Sequence, residues 1–208
     1  MKDFGLYLVM TDPLVGYQHC AEAAVRAGVK MLQLRMKAVP RAEVLAVARE
    51  VRAITLHTGT SFIVNDDPDL AAEVEADGVH LGQTDMPLAL ARERYPQLKC
   101  FGLSTHNPAQ VQAALLQRPD YIGVGPVYAT PTKAIPDPTL GLEVMRQMID
   151  AAPCPAVAIG GISWERLPDV LHAGARNIAI VRAVCQSRTP YQTLCAWQEV
   201  MSAAGEAL

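Results

Sequence analysis

The sequence predicts an α/β protein in which residues 1–208 form a single domain, a closed (β/α)8 barrel. Two patterns predict this fold: eight short, continuous apolar runs, and a segment with helical spacing after each run. Continuous apolar strands are typical of parallel sheets that are covered on both faces. Eight strand-helix units match a (β/α)8 barrel, although an open, doubly wound sheet can also hold several such units.

The units follow one another along the whole chain. We expect strands at 6–10, 31–34, 61–64, 78–81, 99–103, 121–124, 156–159 and 177–181. We expect helices at 17–27, 40–57, 68–75, 87–94, 108–117, 141–151, 164–173 and 190–203. Glycine C-caps such as Gly28 and Gly174, and the Asn107 N-cap before Pro108, mark several of these boundaries. No linker-like or low-complexity segment interrupts the pattern.

The composition favours a small molecule as the binding partner. The formal net charge is only -3 and no long basic run exists, so we expect no nucleic acid or anionic membrane as a partner. The first apolar run is too short for a signal peptide, and no segment is long enough to span a membrane, so we expect a cytoplasmic protein. Five scattered cysteines without C-x-x-C spacing are expected to be reduced and packed. The oligomeric state stays open.

Polar side chains follow most of the predicted strands, at the end of the barrel where such folds carry their chemistry. The stretch 120–133 is the most informative, because its glycines let a ligand approach the backbone, while Thr130, Thr132 and Lys133 offer hydroxyls and charge to an anion. A strand followed by a Thr/Pro turn is the simpler interpretation of this stretch alone. The pair Gly160-Gly161 after the seventh strand, read as a helix start, likewise predicts either a phosphate site or a plain turn.

Two carboxylates follow the third and fourth strands. Adjacent strands lie about 4.8 Å apart, so Asp66 and Asp85 can share one cation. Hard oxygen ligands without nearby cysteine favour Mg²⁺ over zinc. The alternative is that each aspartate caps the helix that follows it. Arg35, Lys37 and Lys133 at the same mouth favour a diphosphate site, because two phosphate groups carry more charge than one cation offsets.

Three neutral side chains complete the predicted site. Gln33 can read a ring nitrogen and an amine together, Asn65 can bond a diphosphate oxygen or a heterocycle amine, and Ser104 can donate to a leaving group. Each of these groups can instead hold loop backbone in place. His80 and His106 are expected to be packed or hydrogen-bonded rather than catalytic.

Taken together, these motifs resemble the thiamine-phosphate synthase family. The matching motifs are Gln33-x-Arg35-x-Lys37, Asn65-Asp66, the run 76–85, Gly102-x-Ser104-x-His106, the run 120–126, Thr130-x-Thr132-Lys133 and the run 158–162. They keep their order and span nearly the whole chain. The resemblance implies a barrel that joins 4-amino-2-methyl-5-hydroxymethylpyrimidine diphosphate to a thiazole phosphate or its carboxylated form. The products are thiamine phosphate and diphosphate, and the reaction uses Mg²⁺.

The resemblance also implies residue roles. The pyrimidine diphosphate would be held by Gln33, Arg35, Lys37, Asn65, Ser104 and Lys133, the metal by Asp66 and Asp85, and the thiazole phosphate by Thr130, Thr132, Gly161, Val181 and Arg182. Arg35, Lys37, Ser104 and Lys133 would be catalytic, because they stabilise the departing diphosphate. The thiazole nitrogen then captures a pyrimidine cation without any protein nucleophile. Arg182 departs from the family pattern, in which a small serine is often found.

Three alternatives stay open at this point. A related barrel isomerises the thiazole phosphate, but we expect it to lack the paired carboxylates and the intact Thr-x-Thr-Lys. A regulatory barrel that only binds thiazole or thiamine phosphates would tolerate the loss of Asp66 or Asp85. A generic phosphate-binding barrel would have no use for the diphosphate cluster. For the coupling enzyme we also expect the loop 130–140 to close, because a cationic intermediate needs protection from water.

Overall fold

The computed structural model describes residues 3–131 and 137–206. Within these ranges eight parallel strands close into a barrel, each paired with the next along the chain and the first paired with the last. The strands are β1 Leu6–Met10, β2 Met31–Leu34, β3 Ser61–Asn65, β4 Gly78–Leu81, β5 Cys100–Thr105, β6 Tyr121–Val124, β7 Ala156–Ala158 and β8 Asn177–Ile180. The predicted closed barrel is confirmed, and the open sheet is excluded.

Every helix expected from the sequence is present, with ends that differ by up to three residues. The helices are α1 Tyr17–Arg26, α2 Arg41–Thr55, α3 Pro68–Glu73, α4 Leu88–Arg94, α5 Pro108–Leu116, α6 Gly141–Asp150, α7 Leu167–His172, α8 Arg182–Cys185 and α9 Pro190–Glu206. The short α8 was not predicted, because four residues are too few to show a helical repeat.

The glycine pair after β7 does not begin a helix, contrary to the sequence prediction. Helix α7 begins at Leu167, six residues after Gly161. A turn comes first, in which the N–H groups of Arg166 and Leu167 both donate to the Ser163 carbonyl, at 3.1 and 3.0 Å. The glycines therefore belong to the loop at the barrel mouth.

Helix capping separates the two interpretations of the acidic pair. The cap of α3 is Asp67, whose side chain accepts from the Leu70 N–H at 2.8 Å. Helix α4 starts after Pro87 without any side-chain cap. Capping is therefore the wrong explanation for both Asp66 and Asp85. The predicted cap of α5 is confirmed, since Asn107 accepts from the Gln110 N–H at 2.9 Å.

Alternation along the strands divides the apolar side chains into two cores. One set, which includes Leu8, Leu32 and Val64, packs between the sheet and the surrounding helices. The other fills the barrel interior and consists of Tyr7, Val9, Met31, Ile63, Cys100, Tyr121, Val157 and Ala179. Burial on both faces explains why the strands are continuous apolar runs in the sequence.

One buried amide holds the barrel closed at the amino-terminal ends of the strands. Asn177 is the first residue of β8, and its carbonyl oxygen accepts from the N–H groups of Phe4 and Gly5 at 2.8 and 3.0 Å. Its amide nitrogen donates to the Ala156 carbonyl at 3.2 Å and to the Asp3 carboxylate at 3.1 Å. This side chain therefore joins β8 both to β7 and to the segment that leads into β1.

The structure gives the state of the cysteines and the lengths of the helices. All five cysteines are free, and Cys20, Cys100 and Cys185 are buried. Among the described residues, every helix is either too short or too polar to cross a membrane.

Candidate active site

A cavity of about 760 Å³ opens at the carboxyl ends of the strands. Its wall brings together eight residues that the sequence assigned to substrate binding. They are Gln33, Arg35, Asn65, Ser104, Thr130, Gly161, Val181 and Arg182. These residues come from six different strand ends or the loops that follow them, so the barrel topology is what assembles the site.

Two predicted residues, Thr132 and Lys133, lie outside the described residues, as do residues 134–136 of the loop 130–140. Their assigned roles stay predictions, and so does closure of that loop. The described residues beyond the gap contact the cavity wall. Asp137 Oδ2 lies 3.7 Å from Nε2 of His106, a cavity-lining residue whose Nδ1 is 2.6 Å from the Gly125 carbonyl oxygen.

Lys37, Asp66 and Asp85 form a charged cluster beside the cavity. The Lys37 ammonium donates to the Asp66 carboxylate. Asp85 accepts from the Gly82 N–H at 2.6 Å. Burial raises the pKa of Asp85, and the adjoining Asp66 carboxylate raises it further. The two carboxylates therefore lie side by side, as their positions after neighbouring strands predict.

The acidic pair fits a magnesium ion better than a zinc ion. Among the described residues no group of three or more histidine, cysteine, aspartate or glutamate side chains could hold a metal. Zinc sites usually need three or four such protein ligands. Magnesium is commonly held by one or two carboxylates, with water and substrate phosphates in the other positions. Asp66 and Asp85 supply that donor set.

Backbone bonds hold the residues next to this cluster. The Arg35 N–H donates to the Met10 carbonyl at 3.0 Å, and the Arg35 carbonyl accepts from the Thr11 hydroxyl at 3.2 Å. Asn65 is the last residue of β3, and its carbonyl accepts from the Asp67 N–H at 2.8 Å. Asp66, which lies between Asn65 and Asp67, has a φ of 63°. This is a left-handed conformation that aspartate tolerates better than most residues. These backbone hydrogen bonds and this backbone conformation fix the Cα positions from which the side chains of Arg35, Asn65 and Asp66 extend.

Gln33 and Ser104 are connected through three residues that the sequence analysis did not assign to the site. Gln33 Nε2 donates to the Tyr7 hydroxyl at 2.8 Å, which lies 2.8 Å from the Tyr121 hydroxyl. His80 lies 3.0 Å from Tyr121 through Nδ1 and 2.8 Å from the Ser104 hydroxyl through Nε2. His80 is thus hydrogen-bonded, as predicted. Tyr7 and Tyr121 lie in strands that the sequence predicts to be buried, and a buried phenol hydroxyl needs a hydrogen-bond partner. Their positions could therefore have indicated polar contacts inside the barrel.

The cavity wall across from this cluster contains four of the predicted thiazole-phosphate residues, Thr130, Gly161, Val181 and Arg182. Gly161 has a φ of 62°, and a Cβ there would lie 2.5 Å from the Ala129 carbonyl oxygen, so only glycine fits. Arg166 donates to the Gly161 carbonyl at 2.9 Å, and Arg182 is the first residue of α8. Trp164 also lines this wall. The sequence analysis missed Arg166 and Trp164 because it assigned both to a helix.

The chain matches known sequences over most of its length. A family model described as thiamine monophosphate synthase matches residues 6–184. A thiamine-phosphate synthase from Gloeobacter violaceus is 46% identical over 192 residues, which are 92% of this chain and 55% of that protein. A thiamine-phosphate synthase from Methanospirillum hungatei is 41% identical over 185 residues, 88% of this chain and 90% of that protein. The chain thus spans about half the length of some curated relatives and most of others.

A solved structure has the same architecture. Thiamine phosphate pyrophosphorylase from Pyrococcus furiosus superposes with a TM-score of 0.88 at 29% sequence identity. The match covers 97% of each chain. The likeness therefore extends to the full set of strands and helices described above.

Proposed function

The chain belongs to the thiamine monophosphate synthase family, and from this premise we propose that it joins an aminopyrimidine diphosphate to a thiazole phosphate. The products are thiamine phosphate and diphosphate. The observation that carries the proposal is the pairing of a mixed polar and apolar cavity with the adjoining cluster of Lys37, Asp66 and Asp85. A heterocycle fits the cavity, and a diphosphate needs the charges beside it.

Departure of diphosphate is the demanding step in this reaction, because negative charge builds up on the leaving oxygen. Arg35 at the cavity wall and Lys37 beside it offer positive charge on that side, and Ser104 offers a hydroxyl proton. Donors that are already in position stabilise the leaving group without reorganising during the reaction. Lys133, if it occupies the same mouth, adds a third cation.

The acidic pair, Asp66 and Asp85, is assigned to a metal ion that would add to the positive charge of these side chains. Asp66 and Asp85 would hold Mg²⁺ against the diphosphate oxygens, since two adjoining carboxylates attract a hard divalent cation. Bound Mg²⁺ would neutralise charge on the departing diphosphate. Lys37 already donates to Asp66, so it lies next to the proposed metal site and can bridge from the acidic pair to the substrate.

Loss of diphosphate leaves a carbon cation on the aminopyrimidine, which the thiazole nitrogen captures. No protein nucleophile is needed, and the chain's part is to hold the two heterocycles together and limit the access of water. We assign the thiazole phosphate to the wall formed by Thr130, Gly161, Val181 and Arg182. That wall lies after β6, β7 and β8, the side on which many barrels of this type bind phosphate.

Diphosphate release by the purified protein tests the proposal. We expect release only when both heterocycles and Mg²⁺ are present, and a loss of at least about 100-fold in the Asp66→Asn and Asp85→Asn variants. Asp150→Asn is the matched control, because Asp150 is an exposed aspartate of α6 whose ion-pair partner is Arg146 on the same helix. It should keep the wild-type rate.

Two results would contradict the proposal. Isomerisation of the thiazole phosphate without diphosphate release would indicate the tautomerase instead. Binding of thiazole phosphate without any turnover would indicate the regulatory barrel. A second readout tests the metal site without turnover: Mg²⁺ should raise the thermal unfolding midpoint of the wild type and of Asp150→Asn, but not of the Asp66→Asn variant.

A further inference from the structure

A continuous hydrogen-bonded chain crosses the barrel interior beneath the cavity. It runs from Gln33 on β2 through Tyr7 on β1, Tyr121 on β6 and His80 on β4 to Ser104 on β5. Each of its four links is between 2.8 and 3.0 Å long. Its two ends are the groups assigned to the aminopyrimidine and to the leaving diphosphate. The middle three residues have no role in the function proposed above.

The barrel interior is built around this chain. Gln33, Tyr7 and Tyr121 are only 3%, 2% and 0% exposed. The ring of Phe4 packs edge-on against both tyrosines, with ring centres 6.0 and 6.1 Å away. A Cβ on Gly102 would lie 2.2 Å from Tyr121 Cζ and 2.6 Å from His80 Nδ1. Glycine at position 102 of β5 therefore leaves the space that the Tyr121–His80 hydrogen bond occupies.

With a neutral His80, and with both tyrosine protons used for links within this hydrogen-bonded network, the four links can run in only two directions. In the forward direction Gln33 donates to Tyr7, Tyr7 to Tyr121, and Tyr121 to Nδ1 of His80. The Nε2–H of His80 then donates to Ser104, whose own proton is free for a ligand. In the reverse direction Ser104 donates its proton to Nε2 of His80, and the Nδ1–H of His80 donates to Tyr121. Tyr121 then donates to Tyr7, and the Gln33 amide is turned over so that its oxygen accepts from Tyr7.

The substrates proposed above match only the forward direction. With one amide hydrogen on Tyr7, Gln33 can offer its carbonyl oxygen to an exocyclic amine and its second amide hydrogen to a ring nitrogen. Ser104 can donate its proton to a diphosphate oxygen. The reverse direction would turn the Gln33 amide group toward the amine, donor against donor, and would leave the Ser104 proton engaged with His80 instead of facing the diphosphate.

We propose that Tyr7, Tyr121 and His80 are positioning residues that fix the forward direction, so that Gln33 presents an acceptor to the aminopyrimidine and Ser104 presents a donor to the leaving group. The proposal rests on the function proposed above for the identity of the ligands. Burial raises the pKa of both tyrosines, so both stay protonated and able to donate across the physiological range. This hydrogen-bonded chain thus couples recognition of the heterocycle by Gln33 to stabilisation of the diphosphate by Ser104.

The tautomer of His80 tests the direction without relying on turnover. We expect nitrogen NMR of protein labelled at histidine to show His80 with its proton on Nε2, and His80→Gln identifies the signal. Tyr7→Phe does not touch His80 but removes the next link, so it should change the balance of the two tautomers. The control is Tyr95→Phe, which removes a hydroxyl that bonds Asp69 outside the chain and should change nothing. A proton on Nδ1, or no response to Tyr7→Phe, would overturn the proposal.

A double-mutant cycle on the rate constant tests the coupling. Gln33→Ala and Ser104→Ala should each lower the rate constant. If the hydrogen-bonded chain couples these two residues, the loss in the double variant should be roughly threefold to tenfold smaller than the product of the two single losses. In a Tyr121→Phe background, which interrupts the chain, the two losses should multiply independently. The proposal would be overturned if the two rate losses multiplied independently when Tyr121 is present. A wild type without turnover would refute the proposed function, while the His80 tautomer would still decide the direction of the chain.

Discussion

Arg182 lies where the sequence resemblance leads us to expect a small serine. It lines the cavity, is exposed, and begins α8, with Val181 between it and the end of β8. A guanidinium in this position can form a charge-assisted hydrogen bond with the thiazole phosphate of the proposed reaction.

We therefore expect Arg182→Ala to raise KM for the thiazole phosphate about tenfold while kcat at saturation changes little, since one exposed charge-assisted bond is lost. Steady-state kinetics with the thiazole phosphate as the varied substrate measures this. Arg182→Lys should recover part of the affinity, because it keeps the charge without the fork of donors. An unchanged KM in the alanine variant would mean that only the backbone of Arg182 is used.

Gly102 permits a direct test of interior packing. Gly102→Ala should lower the free energy of unfolding by about 1 to 3 kcal/mol, because the added methyl overlaps the Tyr121 ring. Urea titration measures the change. The matched control is Gly59→Ala, where a Cβ would meet only Lys30 Nζ at 3.8 Å, and its stability should stay close to wild type. Equal stability of the two variants would contradict the crowding at position 102.

At the scale of elements, capping decides where several helices begin. Asn107→Ala should lower the free energy of unfolding by about 1 kcal/mol, because the Gln110 N–H at the start of α5 loses its acceptor. Chemical denaturation measures the change, and Asn107→Asp, which keeps an oxygen acceptor, serves as the control. A loss of equal size in both variants would show that the cap bond is not responsible.

Regular elements were predictable from the sequence, whereas irregular ones were not. The four strands β1, β2, β4 and β6 have the expected limits, because each is an apolar run bounded by polar or glycine residues. Helix α7 starts later than expected because a turn at Ser163 precedes it. Helix α8 is held by the loop that follows β1, where the Leu14 N–H donates to the Cys185 carbonyl at 2.8 Å. Such a long-range contact leaves no local pattern in the sequence.

Some residues of the candidate site were likewise predictable from the sequence, and others were not. Residues at or directly after the carboxyl ends of strands, such as Asn65 and Arg35, were predictable because the barrel brings all these ends to one mouth. Tyr7 and Tyr121 were not, because apolar strand patterning does not distinguish a core tyrosine from one whose hydroxyl joins a polar chain. Only the three-dimensional closure of β1 next to β8 and across from β6 brings their hydroxyls together.

At the scale of the whole molecule, the two ends of the barrel have different tasks. The carboxyl ends of the strands carry the cavity, whereas Asn177 joins strands at the amino-terminal ends. Asn177→Ala should lower the free energy of unfolding by about 3 kcal/mol, because the part-buried N–H groups of Phe4 and Gly5 and the Ala156 carbonyl lose the buried amide that bonds them. Diphosphate release per folded molecule should stay at the wild-type rate at a temperature below the transition. A variant that keeps its stability but loses turnover would contradict this division.

The space shared by Gly102 and Tyr121 also constrains how this barrel can change over generations. Because a side chain at 102 would overlap the Tyr121 ring, a substitution at 102 costs stability as long as the tyrosine is present. A lineage that replaced the tyrosine with a small residue would gain room at 102, and once that room was filled, the tyrosine could return only after glycine had been restored. The order of the substitutions, and not only their identity, would then determine which descendants keep the polar chain.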